Sequence, residues 1–411
     1  MSSSNRPSSA LSGIRVLDLS RILAGPYCTQ LLGDFGADII KVERPGHGDD
    51  TRKWGPPYLR DTEGRYTEES AYYLSCNRNK RSVTIDISKT QGQALIRALL
   101  KNTDVLIQNY KVGSMKRFGL AYEQLRTEFP RLVYCSISGF GQDGPYAQRA
   151  GYDFMIQAMG GIMSVTGPES GTPFKVGVGI ADIMCGMYAC NAIQAALLHR
   201  ERSGEGQHID LALFDTQLAW LANTGMNYLT SGEPPERYGN GHPNIVPYDA
   251  FPCQDQYIAL AIGNDGQFRR FCEFAGIPEM ADDPRFATNR QRVAHREECN
   301  RIVAQATRQR PLNVWLDGLE PLAVPCGPVN SIEQAFADPQ AQHREMRLRM
   351  PHPAALDNKI DLIANPVKFS STPVSYRHPP PALGEQRDEI LEQELGLSQE
   401  EIAALKEKSI I

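Results

Sequence analysis

The chain is short of the signals that mark several large functional classes. Its nine cysteines include no C-x-x-C pair, so neither a zinc ribbon nor a thioredoxin-type redox motif is present. An odd count without paired spacing reads as reduced thiols in a reducing compartment. No lysine- or arginine-rich run and no basic–aromatic array occurs, which argues against nucleic acid as a partner. The longest apolar runs are far shorter than a membrane span, so no membrane is expected. The opening "MSSSNRPSSA" has no hydrophobic signal core and reads as a loose tail, which favours a cytoplasmic protein. H-E-x-x-H, G-x-S-x-G and G-x-x-x-x-G-K-[ST] are all missing, and the eight histidines are scattered. No metal site is expected.

What remains is a chain of 411 residues, 41% apolar and 22% charged, with a net charge of −5 from 43 basic and 48 acidic residues. That balance suits a soluble globular protein of about two domains with a large core. Along it, "GIRVLDLS" (13–20) has the pattern of a buried strand, "AGPYCTQLLGDFG" (24–36) that of a helix with proline in its first turn, and "ADIIKVE" (37–43) that of a second strand. Strands at 81–88, 103–110 and 131–141 follow, with a helix at 92–102. Alternating strands and helices predict an α/β fold with a mostly parallel sheet covered on both faces. A buried helix is predicted over 183–204, then a short strand and one helix to 229. Composition shifts at 230–251, which is rich in glycine and proline, and a strand at 257–264 opens a second unit. Further strands and a helix near 398–408 close the chain.

Three places carry candidate chemistry. The βαβ unit at 13–43 ends in Glu43 and Arg44, but the dinucleotide fingerprint G-x-G-x-x-G is missing from its first turn, which reads "SRILAGP". That makes NAD a weak reading and ordinary α/β architecture an equal one. After the strand at 103–110, Asn109, Tyr110, Lys111, Lys116 and Arg117 gather where open α/β sheets bind ligands. Those cations suit a phosphorylated cofactor or, equally, a solvated helix face. In "VGVGIADIMCG" (176–186), Asp182 stands alone among small and apolar residues with Gly177, Gly179 and Gly186 around it. A carboxylate at a helix start commonly caps it and stays ionised. The glycines point instead to close approach by a bulky substrate, and a carboxylate there can attack an activated acyl group while nearby N–H groups hold the oxyanion.

The series "LSGIRVLDLSRILAGPYCTQLLGDFGADIIKVERPGHGDDTR", "NRNKRSVTIDI", "NYKVGSMKRFGL", "SISGFGQDGPYAQRAGYD", "GIADIMCGMYA" and "VPCGPVNSIEQAFADPQ" resembles the class III CoA-transferase family. The resemblance runs over 11–405, and "GDDTRKWGPP", "HPNIVPYDAF" and "GNDGQF" look most like the succinyl-CoA:glutarate branch. It implies that coenzyme A is passed from succinyl-CoA to a dicarboxylate through an aspartyl-CoA thioester on Asp182. It implies CoA contacts at Ile22, Leu23, Ala24, Arg44, Ile85, Asn109, Tyr110, Arg117, Tyr152 and Asp153, and a flexible loop at Gly239, Gly241 and His242. Leu23 stands where formyl-CoA transferase has glutamine, and Ala150 where it has lysine, departures that count against formate or oxalate specificity. Itaconate, a hydroxymethylglutarate, carnitine, and formate or oxalate are the alternative acceptors. The related racemases use "GHD" where this chain has "GYD", and Tyr152 is a poor base near neutral pH. The family fold implied is an interlocked ring-like homodimer. Each chain would carry a Rossmann-like large domain (11–225 and 331–411) and an inserted smaller α+β domain (226–330).

Overall fold

The computed structural model describes residues 9–411; the first part of the serine-rich tail, residues 1–8, lies outside the described residues. The chain divides into two compact units. The larger holds the described residues up to Gly160, then Gly177–Trp220 and Gln340–Ile411; the smaller holds Gly161–Val176 and Leu221–Pro339.

Six strands form the sheet of the larger unit: β1 (Arg15–Asp18), β2 (Asp38–Glu43), β3 (Lys80–Thr84), β4 (Val105–Gln108), β5 (Val133–Ser138) and β6 (His208–Ala212). Every pairing is parallel, and the order across the sheet is β3-β2-β1-β4-β5-β6. This is the doubly wound order, in which the connections run one way from β1 and the other way from β4. Successive side chains serve opposite faces. Val16, Val105, Ile107, Val133 and Cys135 join one core, whereas Leu17, Leu106 and Tyr134 join the other.

The helices α1 (Ala24–Asp34), α2 (Thr90–Leu100), α3 (Asp153–Met159) and α4 (Ile180–Ser203) flank the sheet, and two C-terminal helices, α5 (Arg387–Leu395) and α6 (Gln399–Glu407), return to it. α2, α5 and α6 cover the face of Leu17; α1 and α4 cover that of Val16. Among the described residues, α4 is the one helix whose length and apolarity would suffice to cross a membrane. Taken run by run, the sequence hid this, because Gly186 and Asn191 interrupt its apolar stretches. Ala181, Cys185, Ala189 and Ile193 recur every four residues along it and are buried in the core. α1 lies so close that a Cβ on Gly186 would stand 2.5 Å from the Ala24 carbonyl oxygen.

In the smaller unit an antiparallel sheet of Tyr248–Pro252, Tyr257–Ala261 and Cys326–Pro328 packs with helices around Phe268, Phe271 and Trp315. The units and one helix are bounded differently from the reading of the sequence, the middle part of the larger unit ending at Trp220 rather than 225. Residues 161–176 belong with the smaller unit, and the return to the larger falls at 340 rather than 331. The single helix expected up to 229 is two, Leu213–Ala219 and Ala222–Ser231. Ala222, the first residue of the second, adopts φ +42°, just after the smaller unit resumes at Leu221. α3, α5 and the hairpin Tyr58–Arg60/Tyr66–Ser70 were not anticipated. All nine cysteines are free thiols, eight of them buried.

Candidate active site

In a doubly wound sheet the loops after the two central strands leave in opposite directions and open a crevice at the carboxyl ends. The crevice here lies between the loop after β1, Arg21 to Ala24, and that after β4, Asn109 to Val112. It measures about 220 Å³, and Tyr152 and Asp182 complete its walls. A second cleft of about 240 Å³ adjoins it, shares Arg21 and Tyr110, and adds Arg44 and His47. Lys111 and Arg149 bring further positive charge to the first cleft; the Arg149 guanidinium lies 3.9 Å from the centre of the Tyr146 ring.

The strand ends beneath these loops carry ionic side chains that the core cannot leave unpaired. Lys41 meets Asp49 at 2.9 Å, Lys80 meets Asp18 at 3.2 Å, and Arg52 meets Glu43 at 2.7 Å, all of them buried. Burial alone would push the carboxyls of Asp18 and Asp49 up. Lys80 and Lys41 overcome it and hold both below the usual carboxylate range.

Asp182 is the third residue of α4. Its carboxylate accepts no hydrogen bond and meets no cation among the described residues. Helix capping is done by another residue: the Ala181 N–H donates to Asp153 Oδ1 at 2.8 Å, while Gln157 Nε2 holds Asp153 Oδ2 at the same distance. Burial, and next the negative charge of Asp153, raise Asp182 from 3.8 to about 7. The capping role common for a carboxylate at such a position is therefore not taken by Asp182. This carboxylate is uncapped and holds its proton more tightly than an ordinary carboxyl. A Cβ on Gly179 would lie 3.1 Å from Leu23 Cδ2 and one on Gly186 2.5 Å from the Ala24 carbonyl oxygen, so these two glycines admit the β1 loop and α1, whereas a Cβ on Gly177 would meet nothing within 4 Å.

An uncapped, electron-rich carboxylate in a crevice lined by backbone amides and cations is suited to attack on an activated acyl group. Residues 11–387 match the description "CoA-transferase family III". The chain belongs to this family. It is 51% identical to the succinate–glutarate CoA-transferase of Agrobacterium fabrum over 93% of this chain and 94% of that protein. It is 40% identical to the human succinyl-CoA:glutarate CoA-transferase over 98% and 90% of the two chains. The crystal structure of a CAIB/BAIF family protein from Brucella suis superimposes with a TM-score of 0.83 at 46% identity, covering 94% of this chain and all of that one. The protein is an enzyme of the CoA-transferase type, and members of the family use acyl-CoA as substrate.

The crevice of this family III enzyme brings together Ile22, Leu23, Ala24, Asn109, Tyr110, Tyr152 and Asp182. Arg44 lies in the adjoining cleft. Three residues expected to contact CoA line neither cleft. Ile85 is a core residue, 2% exposed, because its strand-end backbone is bonded to Glu43 and its side chain turns into the α2 face. Arg117 is exposed in the short helix Ser114–Arg117, where it donates to Ser114 Oγ, and it lines neither cleft. Asp153 stands behind Asp182, holding the start of α4. In the smaller unit Gly239 takes φ +62°, the Gly241 N–H donates to the Tyr238 carbonyl, and His242 Nδ1 accepts from the Asn244 N–H. Burial, then Arg296, lower the His242 imidazole below its usual value. Sequence reasoning missed Lys41 and Asp49. The available signal was a lysine inside "ADIIKVE", a charge at a strand position whose neighbours are all apolar.

Proposed function

We propose that the enzyme transfers coenzyme A from succinyl-CoA to glutarate through covalent intermediates on Asp182. The Asp182 carboxylate attacks the thioester carbonyl, giving a succinyl–aspartyl anhydride and CoA thiolate. The thiolate attacks the aspartyl carbonyl, expels succinate and leaves an aspartyl-CoA thioester. A glutarate carboxylate attacks that thioester and again releases the thiolate, which attacks the glutaryl carbonyl. Glutaryl-CoA leaves and Asp182 is regenerated, with no net proton change. The observation that carries this reading is the carboxylate of Asp182, unpaired in the crevice among buried acids that all have partners. Its raised basicity favours attack whenever it is ionised. The names of the Agrobacterium and human relatives supply the choice of donor and acceptor.

A homodimer accords with the apolar side chains that the larger unit leaves exposed, among them Phe154, Met155, Met187, Tyr188 and Leu198. In an interlocked arrangement two chains would separate only by unfolding, so dissociation should not precede the thermal transition on dilution. The function is tested by incubating the enzyme with succinyl-CoA and, in separate reactions, glutarate, itaconate, 3-hydroxy-3-methylglutarate, oxalate and carnitine. Glutaryl-CoA as the main new thioester on chromatography with mass detection is the expected result. A different thioester would reassign the acceptor.

A further inference from the structure

The β1 loop contains one conformation that its residue does not favour. Ile22 has φ +74°, in the left-handed region, where a β-branched side chain is strained. Such a conformation persists only when its surroundings dictate it. Here the backbone from Ser20 to the Ile22 N–H, and the first turn of α1, are gripped by side chains from other elements. Asn109 brackets Arg21, donating to its carbonyl at 2.7 Å and accepting from its N–H at 2.9 Å. Lys41 Nζ donates to the Ser20 carbonyl at 3.0 Å, and Lys80 Nζ to that of Pro26 at 2.9 Å. The Ile22 N–H donates to both oxygens of Asp49, at 3.1 and 3.2 Å. Asp49 is itself fixed by Lys41 and by the N–H and hydroxyl of Thr51.

The turn at Ile22 sets the direction of the next two residues. Leu23 is carried onto the start of α4, against the bare Cα of Gly179, three residues before Asp182. The N–H groups of Leu23 and Ala24, both on the crevice wall, have no acceptor among the described residues. We propose that Asp49 is a positioning residue for the transfer reaction: by holding Ile22 in its left-handed turn it aims the Leu23–Ala24 wall of the crevice at the acyl group bound to Asp182. Asp49 borders the adjoining cleft but is 1% exposed, and in this scheme its effect reaches the chemistry through the backbone of Ile22. The inference rests on the proposed role of Asp182.

The test compares wild type, Asp49→Asn, Ile22→Gly and the double variant in steady-state transfer from succinyl-CoA to glutarate. Glycine adopts the left-handed turn without strain, so it needs no clamp. Misplacement of about 1 Å at a reacting site costs on the order of 100-fold. Asp49→Asn should lower kcat by about that factor with little change in KM for succinyl-CoA, and by about 10-fold or less when Ile22 is already glycine. Equal losses in both backgrounds, or an unchanged kcat, would overturn the proposal. Should Asp49→Asn fail to fold, Asp49→Glu keeps the charge beside Lys41 and displaces the acceptor by one methylene. It should fold and still lose kcat, and wild-type kcat in that variant would overturn the proposal. Hydrogen exchange at the Ile22 amide separates this idea from the assignment of substrates. Protection in wild type that disappears in Asp49→Glu supports the clamp even if wild type forms no glutaryl-CoA, and equal exchange in the two proteins refutes it.

Discussion

Asp49 and Asp182 are the same side chain in two settings on one crevice. Asp49 meets a lysine, two donors from Thr51 and a backbone N–H; Asp182 meets another negative charge and no donor. The first is held below the usual carboxylate range and the second is raised to about 7. Burial acts in the same direction on both, so it does not distinguish them. The partner does: a cation at hydrogen-bond distance turns a buried acid into a fastener, and its absence leaves a reactive one. The enzyme places its fasteners beneath the loop that faces its reactive group.

The contrast is broken most severely by removing the unpaired acid. Asp182→Ala should lower the transfer rate by 10³-fold or more, on the order of what loss of a covalent nucleophile costs, and should abolish the CoA adduct seen by intact mass after incubation with succinyl-CoA. The fold should not suffer. Because the folded value for Asp182 lies above its ordinary 3.8, charging it costs stability above about pH 7 and nothing below about pH 4. Asp182→Asn should therefore raise the melting temperature at pH 8 and leave it unchanged at pH 4.

Removing a paired acid should do the reverse. Asp18→Asn strands Lys80 in the core and should cost about 3–5 kcal/mol in denaturant titrations. The sign of the pH effect also differs between the two kinds of acid. Asp18 contributes stability above its unfolded value, and that contribution is lost as the pH falls through its lower folded value.

The pH profile sharpens the comparison. With Asp182 active as the carboxylate, kcat/KM should rise with pH and level off above about 7. Asp153→Asn removes the neighbouring charge and should move that midpoint down. An unmoved midpoint would assign the whole shift to burial. The smallest effect belongs to an acid at the surface. Asp361 pairs with Arg347 and Arg349 between the strands Arg347–Pro351 and Lys359–Ile363, with its side chain 37% exposed. Asp361→Asn should change stability by less than about 1 kcal/mol.

Much of the fold was legible because its strands are short apolar runs punctuated by glycine and proline, and both faces of the sheet are buried. The order of those strands was not, since it depends on contacts between distant segments. Asp182 was legible as an acid without a neighbour in sequence, and Asn109 and Tyr110 as residues just past a strand end. Their meeting in space is a product of the doubly wound order. Asp49 escaped because nothing local marks it: "GDDTR" reads as a solvated turn until Lys41, from the strand before, is seen beneath it. Ile85 and Arg117 lie close to the groove along the chain, but one side chain turns into the core and the other, exposed, bonds Ser114 and lines neither cleft.

Gly179, the residue just before α4, and Gly186 within it are seven residues apart, close to two full turns, and the β1 loop and α1 pack against them. One touches Leu23 and the other the Ala24 carbonyl, with Asp182 between them. A single inserted or deleted residue within that interval would rotate one glycine by about 100° relative to the other and drive a side chain into the loop. The interval therefore works as a vernier. Substitutions around it can retune the crevice, but no change of length can be absorbed there, and a descendant with a different spacing would have to aim its carboxylate from a different helix.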